Sequence, residues 1–182
     1  MNYLTLPIGK GAPETVNAVV EVPLGCTNKY EYDKTLHLFH LDRPLYASVH
    51  YPGEYGFIPS TLSPDGDALD IIILVTDPTF PGCFLEARPI GVLQMVDQGK
   101  PDQKILAVAK SSPTHMEIKK LSDLASHVLR EIEHFFSIYK DLEGKHSEVK
   151  GWDNLKRAHQ LIEEGQRRFR QHETKRPKVR KK

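Results

Sequence analysis

Long apolar runs, paired cysteines and the familiar nucleophile and phosphate-loop motifs are all missing from this chain, and each absence removes a class of protein. No apolar stretch reaches the roughly 20 residues that a membrane helix needs, so no membrane association is expected. The two cysteines, Cys26 and Cys83, form no CxxC pair and outline no disulfide framework; they read as inert thiols of a reducing compartment. Residues 1–11 lack the charged start and apolar centre of a secretory signal, which points to a cytoplasmic location. Gly-Lys-Ser/Thr is absent, which excludes a P-loop. Neither GxSxG nor HExxH occurs, which excludes a nucleophile elbow and a zinc-binding helix of that type.

What is present describes an ordinary globular chain. Hydrophobic content of 39% and charged content of 27% over 182 residues predict one domain with a proper core, spanning residues 1–173. The net charge of +1 hides an asymmetry, because residues 174–182 hold six of the 25 basic side chains and no acidic one. The remaining body carries 19 basic against 24 acidic groups, a formal −5, so a phosphate substrate would be repelled unless cations reverse the field locally. The tail is predicted to be a disordered, solvating terminus. A nucleic-acid role for it would demand affinity that falls steeply with salt, and no nucleic-acid partner is expected.

The most informative stretch is 63–77, where Asp65, Asp67 and Asp70 fall within six positions. Asp65 and Asp67 flank Gly66, which lets the backbone turn tightly. Asp70 opens the apolar run Ile71-Ile72-Ile73-Leu74, which reads as a buried strand. Three carboxylates held that close repel one another unless a cation sits among them, and an all-oxygen donor set selects a hard cation such as Mg²⁺. Asp also suits plain surface turns, so this stretch alone leaves both readings open.

Along the chain, residues 15–22 predict a first strand that ends at Pro23, with Glu21 near its close. In 28–34, Lys29 and Glu31 project to one face of an extended segment and Tyr30 and Tyr32 to the other. Residues 35–49 read as a hairpin turning at Asp42-Arg43-Pro44, with His37 and His40 on opposite faces and unable to share a metal. Arg43 in that turn is either a solvated charge or an anion clamp. Residues 51–59 form a shaped loop in which Tyr51 and Tyr55 either pack or donate to a phosphate oxygen. Residues 84–97 are a long extended run bent at Pro89 and Gly91. A turn over 97–104 follows, where Asp102 and Lys104 share a face, and 105–109 return as a strand. From Ser122, an expected N-cap, apolar residues recur at helical spacing to Leu142; Tyr139 lies on that stripe with Lys140 beside it and Gly144 closing the helix. A second helix is expected from Trp152-Asp153 onward. Strands first and helices last give an α+β class, a barrel or curled sheet covered by two helices.

Two acidic clusters emerge, Asp65/Asp67/Asp70 and Asp97/Asp102, with Lys29, Arg43, Lys104 and Lys140 around them. An EF-hand counted from Asp65 fails, because Asp70 and Thr76 stand where Gly and Glu are required. Hydrolysis at phosphorus by a water held between metal ions survives, beside a non-catalytic module that binds divalent cations and phosphate.

Several segments carry a resemblance: Lys29-Tyr30-Glu31, Asp42-Arg43, Tyr51-Pro52-Gly53-Glu54-Tyr55-Gly56, Asp65-Gly66-Asp67-Ala68-Leu69-Asp70, Arg88 to Leu93, Asp97 to Lys104, His134-Phe135-Phe136 and Tyr139-Lys140-Asp141-Leu142. In this order they resemble the soluble family I inorganic pyrophosphatases of bacterial type, from about Leu4 to Gly165. The resemblance implies a five-stranded OB-type β-barrel flanked by two main C-terminal helices, usually assembled as a hexamer in bacteria, that hydrolyses pyrophosphate to two orthophosphates. It implies three or four Mg²⁺ ions, with Mn²⁺ as a substitute. Carried over by position, Asp65, Asp70 and Asp102 hold the first metal, Asp70 bridges to the second, and Asp97 with Asp102 serves the substrate's metals. Asp67 is the general base. Lys29, Arg43, Tyr55, Lys104, Tyr139 and Lys140 hold the phosphate oxygens and Glu31 accompanies them; Glu21, Tyr51 and Asp42 stand behind in support. The chain departs from the pattern at Gln98, commonly Glu, at Ala68, commonly Pro, and at Ile138, often a second His at the subunit contact.

Overall fold

A computed structural model describes residues 1–175, and the expectation of a disordered basic tail lies almost wholly outside the described residues. The strands are β1 (Val16–Val22), β2 (Asn28–Asp33), β3 (Leu38–Pro44), β4 (Glu54–Ile58), β5 (Leu69–Leu74), β6 (Phe84–Asp97), β7 (Lys100–Ala109) and β8 (Ser147–Asp153). The helices are α1 (Ser126–Ile138) and α2 (Leu155–Lys175).

Five strands close on themselves in the order β1-β4-β5-β7-β6 and back to β1, forming the barrel of OB type expected from the sequence. Closure is made by β1, which pairs antiparallel with β4 through Val19↔Phe57 and with β6 through Val16↔Ala87. A ring of this kind leaves no unpaired edge inside it. The 14-residue β6 is long enough to serve two partners: its first half closes the barrel and its second half, Val92 to Asp97, pairs with β8. Its register shifts between Pro89 and Gly91, the bend anticipated there. β2 and β3 form a separate antiparallel pair.

The β5 and β7 sequences are apolar at successive positions because both faces are covered. Ile71, Ile73, Ile105 and Ala107 pack with Ala158, Leu161 and Ile162 of α2. Ile72, Leu74, Leu106 and Val108 pack with Ile132, Phe135 and Phe136 of α1. By strand parity, Asp70 belongs to the face of Ile72, Asp102 and Lys104 to that of Leu106, and Asp97 to that of Leu93 and Met95. All four charged groups therefore sit at one end of the layer that α1 covers.

Four local expectations are corrected. The hairpin turns at Asp33–His37: Asp33 Oδ1 accepts from the amides of Thr35 and Leu36 at 2.7 Å each, and His37 has φ 57°. Asp42, Arg43 and Pro44 instead lie on β3, with Arg43 opposite Lys29. The Tyr51–Pro59 loop is half strand, since Glu54–Ile58 is β4. The helix begins at Ser126 rather than Ser122, after a short 3-10 turn at Leu121–Asp123. Trp152 and Asp153 end a strand, β8, which separates the two helices and breaks the strands-then-helices order.

Candidate active site

The acidic loop is assembled locally. The amide of Asp67 donates to Asp65 Oδ1 at 3.0 Å, Gly66 takes φ 97°, and the Ser63 amide donates to the Asp67 carbonyl at 2.7 Å. Parallel pairing of β5 with β7 then sets Asp70 beside Lys104 in register. Lys104 Nζ lies 2.7 Å from Asp70 Oδ2, 2.9 Å from Asp102 Oδ1 and 3.1 Å from the Tyr55 hydroxyl. The Tyr55 hydroxyl itself donates to Asp70 Oδ2 at 2.6 Å. Only 1% of Lys104 is exposed, and its ammonium stands 5.2 Å from the Tyr55 ring centre and 5.4 Å from that of Phe136. Burial opposes its charge, but Asp70 and Asp102 outweigh burial and hold it well above the ordinary lysine range.

A second ion pair lies at the β6–β7 turn and the end of α1. Lys140 Nζ meets Asp97 Oδ2 at 2.7 Å, and Ser147 of β8 donates to Asp97 Oδ1 at 2.8 Å. Against burial, these two partners keep the Asp97 carboxyl below its usual value. Tyr139, 5% exposed, stacks on Phe135 at 5.3 Å, and Tyr51 packs on Phe135 at 4.8 Å. Burial pushes the phenols of Tyr51 and Tyr55 up, and at Tyr55 the charge of Asp70 adds to it, so both stay protonated donors.

The charged groups of both clusters, with Tyr55 and Tyr139, line one cavity of about 950 Å³. Its wall takes Glu21 from β1, Lys29 and Glu31 from β2, Tyr55 from β4, Asp65, Asp67 and Asp70 from the acidic loop and β5, Asp97 from β6, Asp102 and Lys104 from β7, and Tyr139 and Lys140 after α1. Arg43, Asp42 and Tyr51 do not line it. Tyr51 is buried behind Tyr55, with ring centres 5.5 Å apart. Arg43 is tied to Asp42, and its Nε donates to Glu143 Oε1 at 2.8 Å. Lys29 pairs with Glu31 and sits 3.3 Å from Asp42 Oδ2.

Glu21 is the carboxyl most out of balance. Burial pushes it up to about 8, the Tyr32 amide that donates to it at 2.8 Å pulls the other way, and the nearby charge of Asp70 raises it further. The proton is held chiefly because burial disfavours the charged form, with the Asp70 charge a smaller contribution.

Sequence reasoning missed Lys34, Lys100 and Gln103, which also line the cavity. Lys34 pairs with Asp67, and Lys100 opens β7 opposite Asp97. The signal for Lys34 was its place at the end of the charge-alternating segment 28–34, and for Lys100 its place in the turn between the acidic pair. Glu143, the Arg43 partner, follows directly on the Tyr139–Leu142 motif.

Among the described residues, no three His, Cys, Asp or Glu side chains stand close enough to form a ready-made metal cluster. Asp70, Asp97, Asp102 and Asp67 each have an ammonium partner instead. The donor set nonetheless fits hard divalent cations: it is carboxylate oxygen only and faces one cavity.

Comparison with known proteins agrees with this geometry. The family model described as inorganic pyrophosphatase matches residues 18–170. The inorganic pyrophosphatase of Halalkalibacterium halodurans is 47% identical over 152 residues, 84% of this chain and 93% of that protein. That of Synechocystis sp. is 50% identical over 149 residues, 82% of this chain and 88% of that protein. The crystal structure of the inorganic pyrophosphatase from Thermus thermophilus superposes with a TM-score of 0.91 at 42% identity, covering 93% of this chain and 99% of that one. With a match that covers nearly all of the barrel and both helices, and with relatives near one-half identity over most of its length, the chain belongs to the inorganic pyrophosphatase family.

Proposed function

We infer that this chain hydrolyses inorganic pyrophosphate to two orthophosphates, with Asp67 as the base for the attacking water. The observation that carries the reading is the convergence, on one cavity, of the acidic loop with Lys29, Lys104, Lys140, Tyr55 and Tyr139. The cations are Mg²⁺, three or four per site as in the resembling family, with Mn²⁺ as a substitute, held by Asp65, Asp70, Asp97 and Asp102. When bound, such ions lower the pKa of a shared water toward neutrality and offset charge on the phosphates.

The chain's own groups supply the rest. Asp67 and its Lys34 partner are both exposed, so the pair is weak and the carboxylate is free to accept the proton of water. Water attacks one phosphorus, the bridging P–O bond breaks, and the departing orthophosphate keeps that bond's electrons. Lys29, Lys104 and Lys140 act as charge-assisted donors to the phosphate oxygens, and the phenols of Tyr55 and Tyr139 add neutral ones. Tyr55 donates to Asp70 as well, so it couples the metal-side carboxylate to the phosphate side. Arg43 joins by releasing Glu143, while Glu31, Asp42, Tyr51 and Glu21 fix these groups from behind.

The protein works in the cytoplasm as a homohexamer, and residues 1–173 fold as one unit. The two free cysteines suit a reducing compartment, and no helix among the described residues is long and apolar enough to cross a membrane. Light scattering reads the assembly, and a single unfolding transition reads the unit. The deciding experiment is orthophosphate release from pyrophosphate across a Mg²⁺ and Mn²⁺ series. Release that requires the metal supports the reading; cation binding without release would leave a phosphate-binding module.

A further inference from the structure

Asp65 and Asp67 hang from residues 59–68, the connection between the end of β4 at Ile58 and the start of β5 at Leu69. Inside that connection one side chain joins both ends. Thr61, 2% exposed, donates its hydroxyl to the Ile58 carbonyl at 2.5 Å and accepts the Leu69 amide at 2.9 Å. The neighbours on either side are fixed to other parts of the chain. Ser60 bonds the carbonyls of Leu4 and Leu6 at 2.8 and 2.7 Å, and the Leu62 amide donates to the Gly165 carbonyl of α2 at 3.0 Å. A Cβ on Gly165 would stand 3.3 Å from Thr61 Cβ, so α2 lies directly against the joint. Beyond Leu62, the carboxylate-bearing tip is held mainly by its own turn.

We propose that Thr61 is a positioning residue of the active site: its hydroxyl clasps the two strand ends and so sets Asp65 and Asp67 at a fixed distance from Asp70. The clasp shortens the free part of the connection to residues 62–68, which lowers the entropy lost when the carboxylates converge on a cation. Leu69 precedes Asp70, so the bond to its amide ties the loop to a carboxylate that already rests on Lys104. The inference rests on the reading of these aspartates as metal ligands and base.

The test uses the full chain and three forms, wild type, Thr61→Val and Thr61→Ser. Mn²⁺ binding without substrate is followed by electron paramagnetic resonance, alongside kcat, KM and thermal unfolding. Thr61→Val keeps the shape and loses the hydroxyl; its Mn²⁺ affinity and kcat should each fall about tenfold while KM at saturating Mg²⁺ stays within about twofold. Thr61→Ser should remain within about twofold of wild type throughout. A valine variant that binds and turns over like wild type, or a serine variant that falls with it, overturns the proposal. If the valine variant does not fold, hydrogen exchange in the wild type decides: the Leu69 amide must be protected like those of Ile71 to Ile73, and fast exchange overturns the clasp. A wild type that neither binds Mn²⁺ nor releases phosphate sinks the underlying reading; a wild type that does both beside an identical valine variant sinks only the clasp.

Discussion

Replacing Lys104 by Met tests the centre of the site, because the stem keeps its length while the ammonium disappears. The change leaves the Asp70 and Asp102 carboxylates, 28% and 26% exposed, without the cation that now sits within 3 Å of each. Removing one partner of a fully buried pair costs about 3–5 kcal/mol, and the access of water to both carboxylates reduces this to about 1–2 kcal/mol of metal-free stability. Catalysis loses more, since a preorganised charge in a site shielded by Tyr55 and Phe136 is worth about 10²–10³ in kcat, or about 3–4 kcal/mol. Added Mg²⁺ should raise the variant's urea midpoint by more than it raises that of the wild type, because the freed carboxylates are open to a cation. Urea unfolding followed by circular dichroism, with and without Mg²⁺, together with orthophosphate release, measures all three effects. A variant within about 0.5 kcal/mol of wild type that keeps turnover within about threefold would show that the Lys104 cluster is an incidental ion pair, and the reasoning would fail.

Glu21→Gln should change how metal-free stability varies with pH. The folded carboxyl holds its proton up to about pH 8 while the unfolded one loses it near 4.5, so the stability Glu21 supplies is complete below 4.5 and is lost as the pH climbs to 8. The glutamine variant should therefore match wild type near pH 4.5 and exceed it by about 4 kcal/mol at pH 8; parallel urea profiles would refute this. Asp67→Asn should lower kcat by about 10²-fold or more with Mg²⁺ affinity nearly kept, whereas Asp70→Asn should weaken both, so full Mg²⁺ affinity in Asp70→Asn, read by calorimetry, would remove its bridging role. Gly56→Ala should unfold the protein, a loss above about 4 kcal/mol, because the added Cβ would lie 1.9 Å from the Val19 carbonyl oxygen in the β1–β4 pairing; a folded circular dichroism spectrum would contradict it.

The acidic loop was legible because it is local: two aspartates around a glycine, then an apolar strand, need no distant partner to be understood. The same holds for β6 and β7, whose apolar runs and intervening turn lie within one stretch of chain. Features that depend on remote partners were not legible. β8 reads Ser-Glu-Val-Lys-Gly-Trp-Asp, too polar to announce itself, and becomes a strand because the outer half of β6 offers it a ladder. Asp42-Arg43-Pro44 looked like a turn because proline ends many strands, yet Pro44 tolerates the last position of β3. Arg43 read as either a solvated charge or an anion clamp, and nothing near it in sequence reveals that Glu143, 100 residues away, holds its guanidinium.

The charges that define the site also settle how the barrel closes. β5 and β7 are apolar on both faces, so a slip of one residue between them would still bury isoleucine against isoleucine or leucine, and the hydrophobic pattern alone discriminates weakly. Lys104 removes that freedom. In the observed register it faces Asp70 across the parallel pair and Asp102 on its own strand. A one-residue shift would carry it to the face of Ile71 and Ile105, which packs among apolar side chains, where desolvating an ammonium is costly. The buried lysine thus selects one strand pairing, and that pairing brings the acidic loop, Asp102 and Tyr55 to the same cavity. One contact fixes the register and gathers the charged cluster, which is how a fully buried lysine is accommodated at the end of the layer that α1 covers.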